Sequence, residues 1–384
     1  MQGEQPFPHQ QYKPEPPSAA FEMTRATPQP AVGSEEYDRR LAAAGGMLCD
    51  ANVSTIYLVH GTFTGNDAWG IIRQMARFAP QSAPWMKRLA KQSVDYVVGD
   101  YGNYSQPYAD MLRKSFDLAG GNPIPVRLFH WSSENHHLGR ADGAIRLIDE
   151  LHRRYGDVTA RIMLWGHSHA GNVFALMSNL LSATSPLRQQ FFEAALPHYV
   201  RQSRPEEEMW WRVRKLLRSD GNPLEHLKID CVTFGTPIRY GWTTTAIEGL
   251  LHYVYHRPSE SVPSYRAKFP PTMEEVMRVA GGDYVQQFGI ANTNFPPSIL
   301  DWRSWTANRR LGRILQHQIR RRDLYEHLCA GKRVAEQGTT VLVDYGDLDQ
   351  AIHRHIMGHA IYTHLEWLPF HAEDVCLRLY GLVP

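Results

Sequence analysis

The chain has 384 residues, of which 43% are hydrophobic, 11% aromatic and 21% charged, enough apolar material for an enzyme-sized core and too much for a disordered chain. A formal net charge of +2 points to no nucleic-acid partner. No run approaches the ~18 consecutive apolar residues of a membrane-spanning helix.

The first 45 or so residues carry prolines at 6, 8, 14, 16, 17, 28 and 30 with little apolar periodicity, which predicts a disordered tail outside the fold. The N-terminus has neither a basic start nor an apolar signal core, which sets a cytoplasmic expectation, with non-classical export as the alternative. The β-branched and apolar run 54–59 predicts a buried strand ending in the turn His60-Gly61-Thr62. Helical spacing over 104–118 leads to a second strand at 125–131, followed by a loop from Trp131 onward that is expected to line a pocket. A helix over 142–155 turns Ile145, Leu147, Ile148 and Leu151 inward. Strands separated by helices imply parallel β-α-β units.

The run Arg161-Ile162-Met163-Leu164-Trp165 is an apolar strand, Gly166-His167-Ser168-His169-Ala170-Gly171 a cramped turn carrying one serine, and Asn172-Val173-Phe174-Ala175-Leu176 the start of an apolar helix. Lys228 to Phe234 predicts another buried strand with the exit Gly235-Thr236-Pro237, and Thr339 to Asp344 the last clear one. The segments 186–225 and 239–336 do not fit the alternation and read as cap insertions over the carboxyl edge of the sheet, where open α/β folds place their ligand sites. Cys49, Cys231, Cys329 and Cys376 are widely separated, which favours free thiols over a disulfide framework.

The serine turn, the His-Gly-Thr turn before it and the Gly-Thr-Pro exit after it resemble the α/β-hydrolase superfamily, and within it the lipase and esterase branch. The likeness spans about residues 50 to 384. One position departs from the G-x-S-x-G pattern: Ala170 stands where the second glycine falls, and Gly171 follows it. The resemblance implies a doubly wound, mostly parallel sheet with a helical cap, in one domain from residue 46 onward. It also implies serine-dependent ester hydrolysis through an acyl-enzyme, with no metal or organic cofactor.

A serine hydroxyl needs a base, and the base needs a group that fixes its tautomer. The superfamily order of serine, acid and histidine is met by Ser168, by an aspartate after the Thr339 to Asp344 strand, and by His359. His359 opens an H-x-x-Y run ending at Tyr362, with His364 and His371 as alternatives. Asp347 and Asp344 are both candidates for the acid, and an Asx turn is the plain alternative for either. The oxyanion donors implied are the N–H groups of His169 and Thr62, with His60, Gly61 and Trp131 bordering the substrate.

Histidines 353, 355 and 359 have a spacing that zinc could use, but no motif supplies a carboxylate or cysteine partner. The basic, tryptophan-bearing stretch Trp302 to Arg322 reads either as a peripheral membrane contact or as a solvated cap helix. The substrate expected is an acyl or lipid ester. The competing readings are a membrane-surface phospholipase, an amidase or peptidase on the same residues, and a non-catalytic binding module.

Overall fold

The computed structural model describes residues 7–8, 16–61, 103–200, 205–290, 296–297, 300–316, 324–348 and 355–383. Among the described residues seven strands form one open sheet: β1 (Phe21–Arg25), β2 (Val53–Val59), β3 (Val126–Phe129), β4 (Ala160–His167), β5 (Leu227–Phe234), β6 (Gly249–Tyr255) and β7 (Thr339–Asp344). Their order is β1-β7-β6-β5-β4-β2-β3, and every neighbouring pair is parallel.

A parallel sheet is covered on both faces, so its strands are apolar on both sides. In β4, Ala160, Ile162 and Leu164 enter one core cluster while Met163 and Trp165 enter the other; in β5, Leu227, Ile229 and Cys231 oppose Val232 and Phe234 in the same way. One face is covered by α1 (Glu35–Asp50), α2 (Gln106–Ala119) and, at the C-terminus, a helix over Leu368–Tyr380. The other carries α3 (His137–Tyr155), α4 (Ala170–Ser182), α5 (Ser185–Tyr199) and α6 (Pro205–Leu216). Three short helices follow, α7 (Met273–Met277), α8 (Tyr284–Ile290) and α10 (Leu324–Ala330), with α9 (Trp302–Leu315) between the last two; the C-terminal helix is α11. No helix among the described residues is long and apolar enough to cross a membrane.

Three expectations change. Within the segment expected to be a disordered tail, Phe21–Arg25 is an edge strand on β7, and α1 starts at Ser34, whose side chain caps Tyr37 N–H at 3.2 Å. Glu35, Glu36 and Asp38 in the first turn favour the helix N-terminus. Within 186–225, expected as a cap over the carboxyl edge, the described residues include α5 and α6, which thicken the helical layer: Phe191, Phe192 and Trp210 belong to the same cluster as α3 and α4. Residues 239–336, expected as a cap insertion, contain the core strand β6.

The chain runs outward from β2 to β3, returns to lay β4 on the other side of β2, and continues through β5, β6 and β7. The direction therefore reverses between β2 and β4, and the carboxyl ends of those strands flank the crevice where open α/β sheets bind ligands.

Candidate active site

Ser168 sits directly after β4 with φ of +56°, a left-handed conformation that is strained for a residue with a Cβ. Three small residues make the turn sterically feasible. A Cβ on Gly166 would lie 2.5 Å from the Phe174 ring and 3.0 Å from Ala170 Cβ, so the glycine lets α4 close against its own strand. A Cβ on Gly171 would lie 2.7 Å from Thr236 Cγ2, and one on Gly61 would lie 2.5 Å from Ser168 Cβ. Ala170 is fully buried in that packing, so its methyl is accommodated and the departure from G-x-S-x-G leaves the strained serine in place.

The turn is clamped by its neighbours. Ser168 N–H donates to Phe234 O at 2.8 Å, and Thr236 Oγ1 donates to Ser168 O at 2.7 Å. Ser168 Oγ is buried and has no hydrogen-bond partner among the described residues.

His359 follows three successive left-handed residues, Ile356, Met357 and Gly358, with φ of +46°, +55° and +91°. It is held beside the serine turn by His167, whose Nε2 lies 3.0 Å from His359 O and whose ring centroid is 4.5 Å from that of His359. Its Nδ1 lies 2.7 Å from Asp283 Oδ2, and both side chains are buried.

The acid partner is thus Asp283, and the expectation of Asp347 or Asp344 is corrected. Asp347 is exposed and pairs with Arg257 at 2.7 Å. Asp344 accepts from Gly346 N–H at 2.8 Å in an Asx turn and lies 3.5 Å from Arg257 Nε. Asp283 instead belongs to the end of β6: its N–H donates to Tyr255 O at 2.9 Å, and Gly282 makes a bridge to His256.

Four groups hold the Asp283 loop. Gln286 N–H donates to Asp283 Oδ1 at 2.8 Å, and Tyr362 Oη donates to Oδ2 at 3.0 Å. Burial and then the neighbouring Asp283 charge push the Tyr362 phenol well above its ordinary pKa, so it stays a donor. The buried Arg333 guanidinium donates to Asp283 O at 2.5 Å, Gln286 Oε1 at 2.6 Å and Gly281 O at 3.1 Å. Tyr284 N–H donates to Met357 O at 3.0 Å, which ties the acid loop to the histidine loop.

Gly-Thr-Pro joins the two halves. A Cβ on Gly235, at φ of +58°, would lie 2.4 Å from Tyr362 Cε2 and 2.8 Å from Asp283 Oδ2. Thr236 holds the serine carbonyl, and Pro237 O accepts from Asn172 Nδ2 at 2.9 Å.

His169 is buried at the N-terminus of α4, where backbone N–H groups have no intrahelical partner. Its side chain is kept neutral: burial, and then the nearby Arg140 and Arg239 guanidiniums, hold it well below the usual histidine range. Asn172 Nδ2 donates to its Nδ1 at 3.1 Å.

His60 is buried at the end of β2, its pKa lowered by burial, with its Nδ1 3.1 Å from Ser133 Oγ. Trp131, expected to border the substrate, braces this turn: it is buried, its Nε1–H donates to His60 O at 2.8 Å, and its ring packs against Gly143. Thr62, the second expected oxyanion donor, lies outside the described residues.

The alternative bases are elsewhere. His371 is in the core with its Nε2 2.8 Å from Tyr345 Oη, and His364 lies 4.0 Å from Glu366. His355 is buried and His353 lies outside the described residues, among which no group of three His, Cys, Asp or Glu side chains could hold a metal ion.

The sheet therefore collects at its carboxyl edge a strained serine, a histidine beside it and a carboxylate on that histidine, an arrangement able to activate a hydroxyl as nucleophile. Comparison with protein-family models, with curated proteins and with solved structures returns no match.

Proposed function

We propose that the chain is an α/β-hydrolase of the lipase and esterase type, a serine hydrolase that cleaves a carboxylic ester through an acyl-enzyme. The observation that carries this reading is the 2.7 Å bond from His359 Nδ1 to the buried Asp283 carboxylate, beside a serine at φ of +56°. A structural histidine needs no carboxylate on one nitrogen and no strained serine beside it.

Ser168 Oγ attacks the acyl carbonyl while His359 Nε2 takes its proton. Asp283 fixes the Nδ1–H tautomer and favours the imidazolium that forms. The carbonyl oxygen gains the electron pair and is met by His169 N–H and by a second donor from the turn after β2, for which Thr62 is the candidate. The intermediate collapses, the alcohol leaves with the proton from His359, and water repeats the sequence to release the acid. An acyl or lipid ester is the substrate class expected, and an amidase or peptidase would share every residue named.

Hydrolysis of p-nitrophenyl esters from acetate to long acyl chains tests the reading. Activity abolished by Ser168→Ala supports it, and a sharp optimum at acetate would refute the lipid-ester part. No turnover of any ester or amide by the folded wild-type protein would turn the assignment to a binding module.

A further inference from the structure

The outward side of α9 differs from that of α3. On α3, Arg146, Arg153 and Arg154 each lie four residues from an aspartate or glutamate and pair with it. Helix α9 carries Arg303, Arg309, Arg310 and Arg313 and no acidic residue, and no carboxylate among the described residues makes an ion pair with any of the four. The inward side packs Ala307, Leu311 and Leu315 into the core.

The same outward side is aromatic. Trp302 is 62% exposed with the Arg303 guanidinium 5.5 Å from its ring centroid, and Trp305 carries Arg309 at 5.5 Å. Leu300, just before the helix, is 93% exposed. The adjoining end of α5 adds Val200 at 49%. His198 Nδ1, 3.0 Å from Ser304 Oγ, fixes this end of α5 to the start of α9.

We infer that this edge, centred on the outer face of α9, is a docking surface for an anionic lipid bilayer. Arginines with no carboxylate partner among the described residues complement lipid phosphates, and an exposed tryptophan with a guanidinium on its face suits the boundary between headgroups and acyl chains. A soluble polyanion would use the arginines alone and leave Leu300 and Trp302 unrewarded. The inner face of α9 packs on the start of α3: Asn308 Oδ1 accepts from Leu138 N–H at 3.1 Å, and Gly312 faces the His137 ring. A docked bilayer would lie roughly one helix diameter, ~10 Å, from that end of α3. The inference concerns binding and stands or falls separately from catalysis by Ser168.

Co-sedimentation of the full chain with vesicles of phosphatidylcholine, alone or mixed equally with phosphatidylglycerol, tests it. The wild type should partition to the anionic vesicles only. At about fivefold per charge, Arg309→Gln/Arg310→Gln/Arg313→Gln should weaken partitioning on the order of 100-fold. A control with the same charge change on other faces, Arg39→Gln/Arg153→Gln/Arg154→Gln, should leave it within about twofold if the effect belongs to this face. Leu300→Ser/Trp302→Ser should cost about tenfold on vesicles while heparin binding stays unchanged. Equal binding to neutral vesicles, an unaffected α9 triple variant, or a Leu300/Trp302 variant that sediments like the wild type would overturn the inference. Circular dichroism confirms that each variant is folded.

Discussion

Asp283→Asn distinguishes the candidate site built on Asp283 from one built on Asp344 or Asp347. The change is isosteric, and Oδ1 can still accept from Gln286 N–H. The atom at the Oδ2 position becomes an NH₂ that faces two donors, His359 Nδ1–H at 2.7 Å and Tyr362 Oη–H at 3.0 Å. His359 is then driven to the wrong tautomer, with its proton on the nitrogen that must accept one from serine. Loss of the orienting carboxylate in such a triad lowers kcat by about 10⁴, equivalent to about 5.5 kcal/mol at 1.36 kcal/mol per decade. The fold should lose only about 1–3 kcal/mol, the cost of leaving buried donors mispaired. Asp344→Asn and Asp347→Asn remove a half-buried and an exposed partner of Arg257, and each should cost ~0–1 kcal/mol with kcat unchanged. The assay is steady-state and single-turnover hydrolysis of the best p-nitrophenyl ester, with urea unfolding in parallel. An Asp283→Asn enzyme within about tenfold of wild type would refute the role given to Asp283, as would an inactive but folded Asp347→Asn enzyme.

Three further outcomes are expected. Gly235→Ala forces a methyl against Tyr362 and Asp283 and requires φ of +58°, so activity should fall by at least ~100-fold while far-UV circular dichroism is retained. Tyr362→Phe removes a donor to Asp283 and leaves Tyr255 N–H without its 2.7 Å acceptor. Its cost should be about 1–3 kcal/mol in urea and a kcat reduced by on the order of tenfold, with KM little changed. Burial lowers His371 and His256 to about 3 and His252 to about 4. The unfolded chain therefore binds more protons below pH ~6.5, and the stability these residues hold at neutral pH is lost as pH falls toward 4. At pH 5 this is on the order of 1–2 kcal/mol per histidine, so Tm should drop steeply between pH 6.5 and 5; a flat Tm there would contradict the neutral, buried state of all three.

The parts of the site that could be read from sequence are those fixed by local sterics. Gly166, Ser168 and Gly171 lie within six residues because strand and helix must touch around one serine, and the resulting turn leaves its mark in consecutive letters. The strands 53–59, 160–167, 227–234 and 339–344 were legible because burial on both faces makes them continuous apolar runs. β1 was not, since Phe-Glu-Met-Thr-Arg is a partly exposed edge strand among prolines and owes its conformation to pairing with β7. β6 does carry a readable signal, Leu-Leu-His-Tyr-Val-Tyr, but it lies inside a segment taken as an insertion. Asp283 had no local signature. Its position comes from Tyr255, Arg333, Tyr362 and Met357, which are 28 to 79 residues away in the chain and converge only in the fold. The Gly281-Gly282 pair before it is the one hint, because a Cβ on Gly282 would strike the end of β6.

The central claim is that Ser168 is an activated nucleophile, and covalent labelling measures that property without a choice of substrate. A fluorophosphonate probe, followed by peptide mass spectrometry, should give one adduct on the peptide carrying Gly166 to Gly171, at Ser168. The adduct should be absent in Ser168→Ala and slowed by ~10³-fold or more in His359→Ala. A folded wild-type protein that takes up no probe, or an adduct that maps to another residue, would contradict the account.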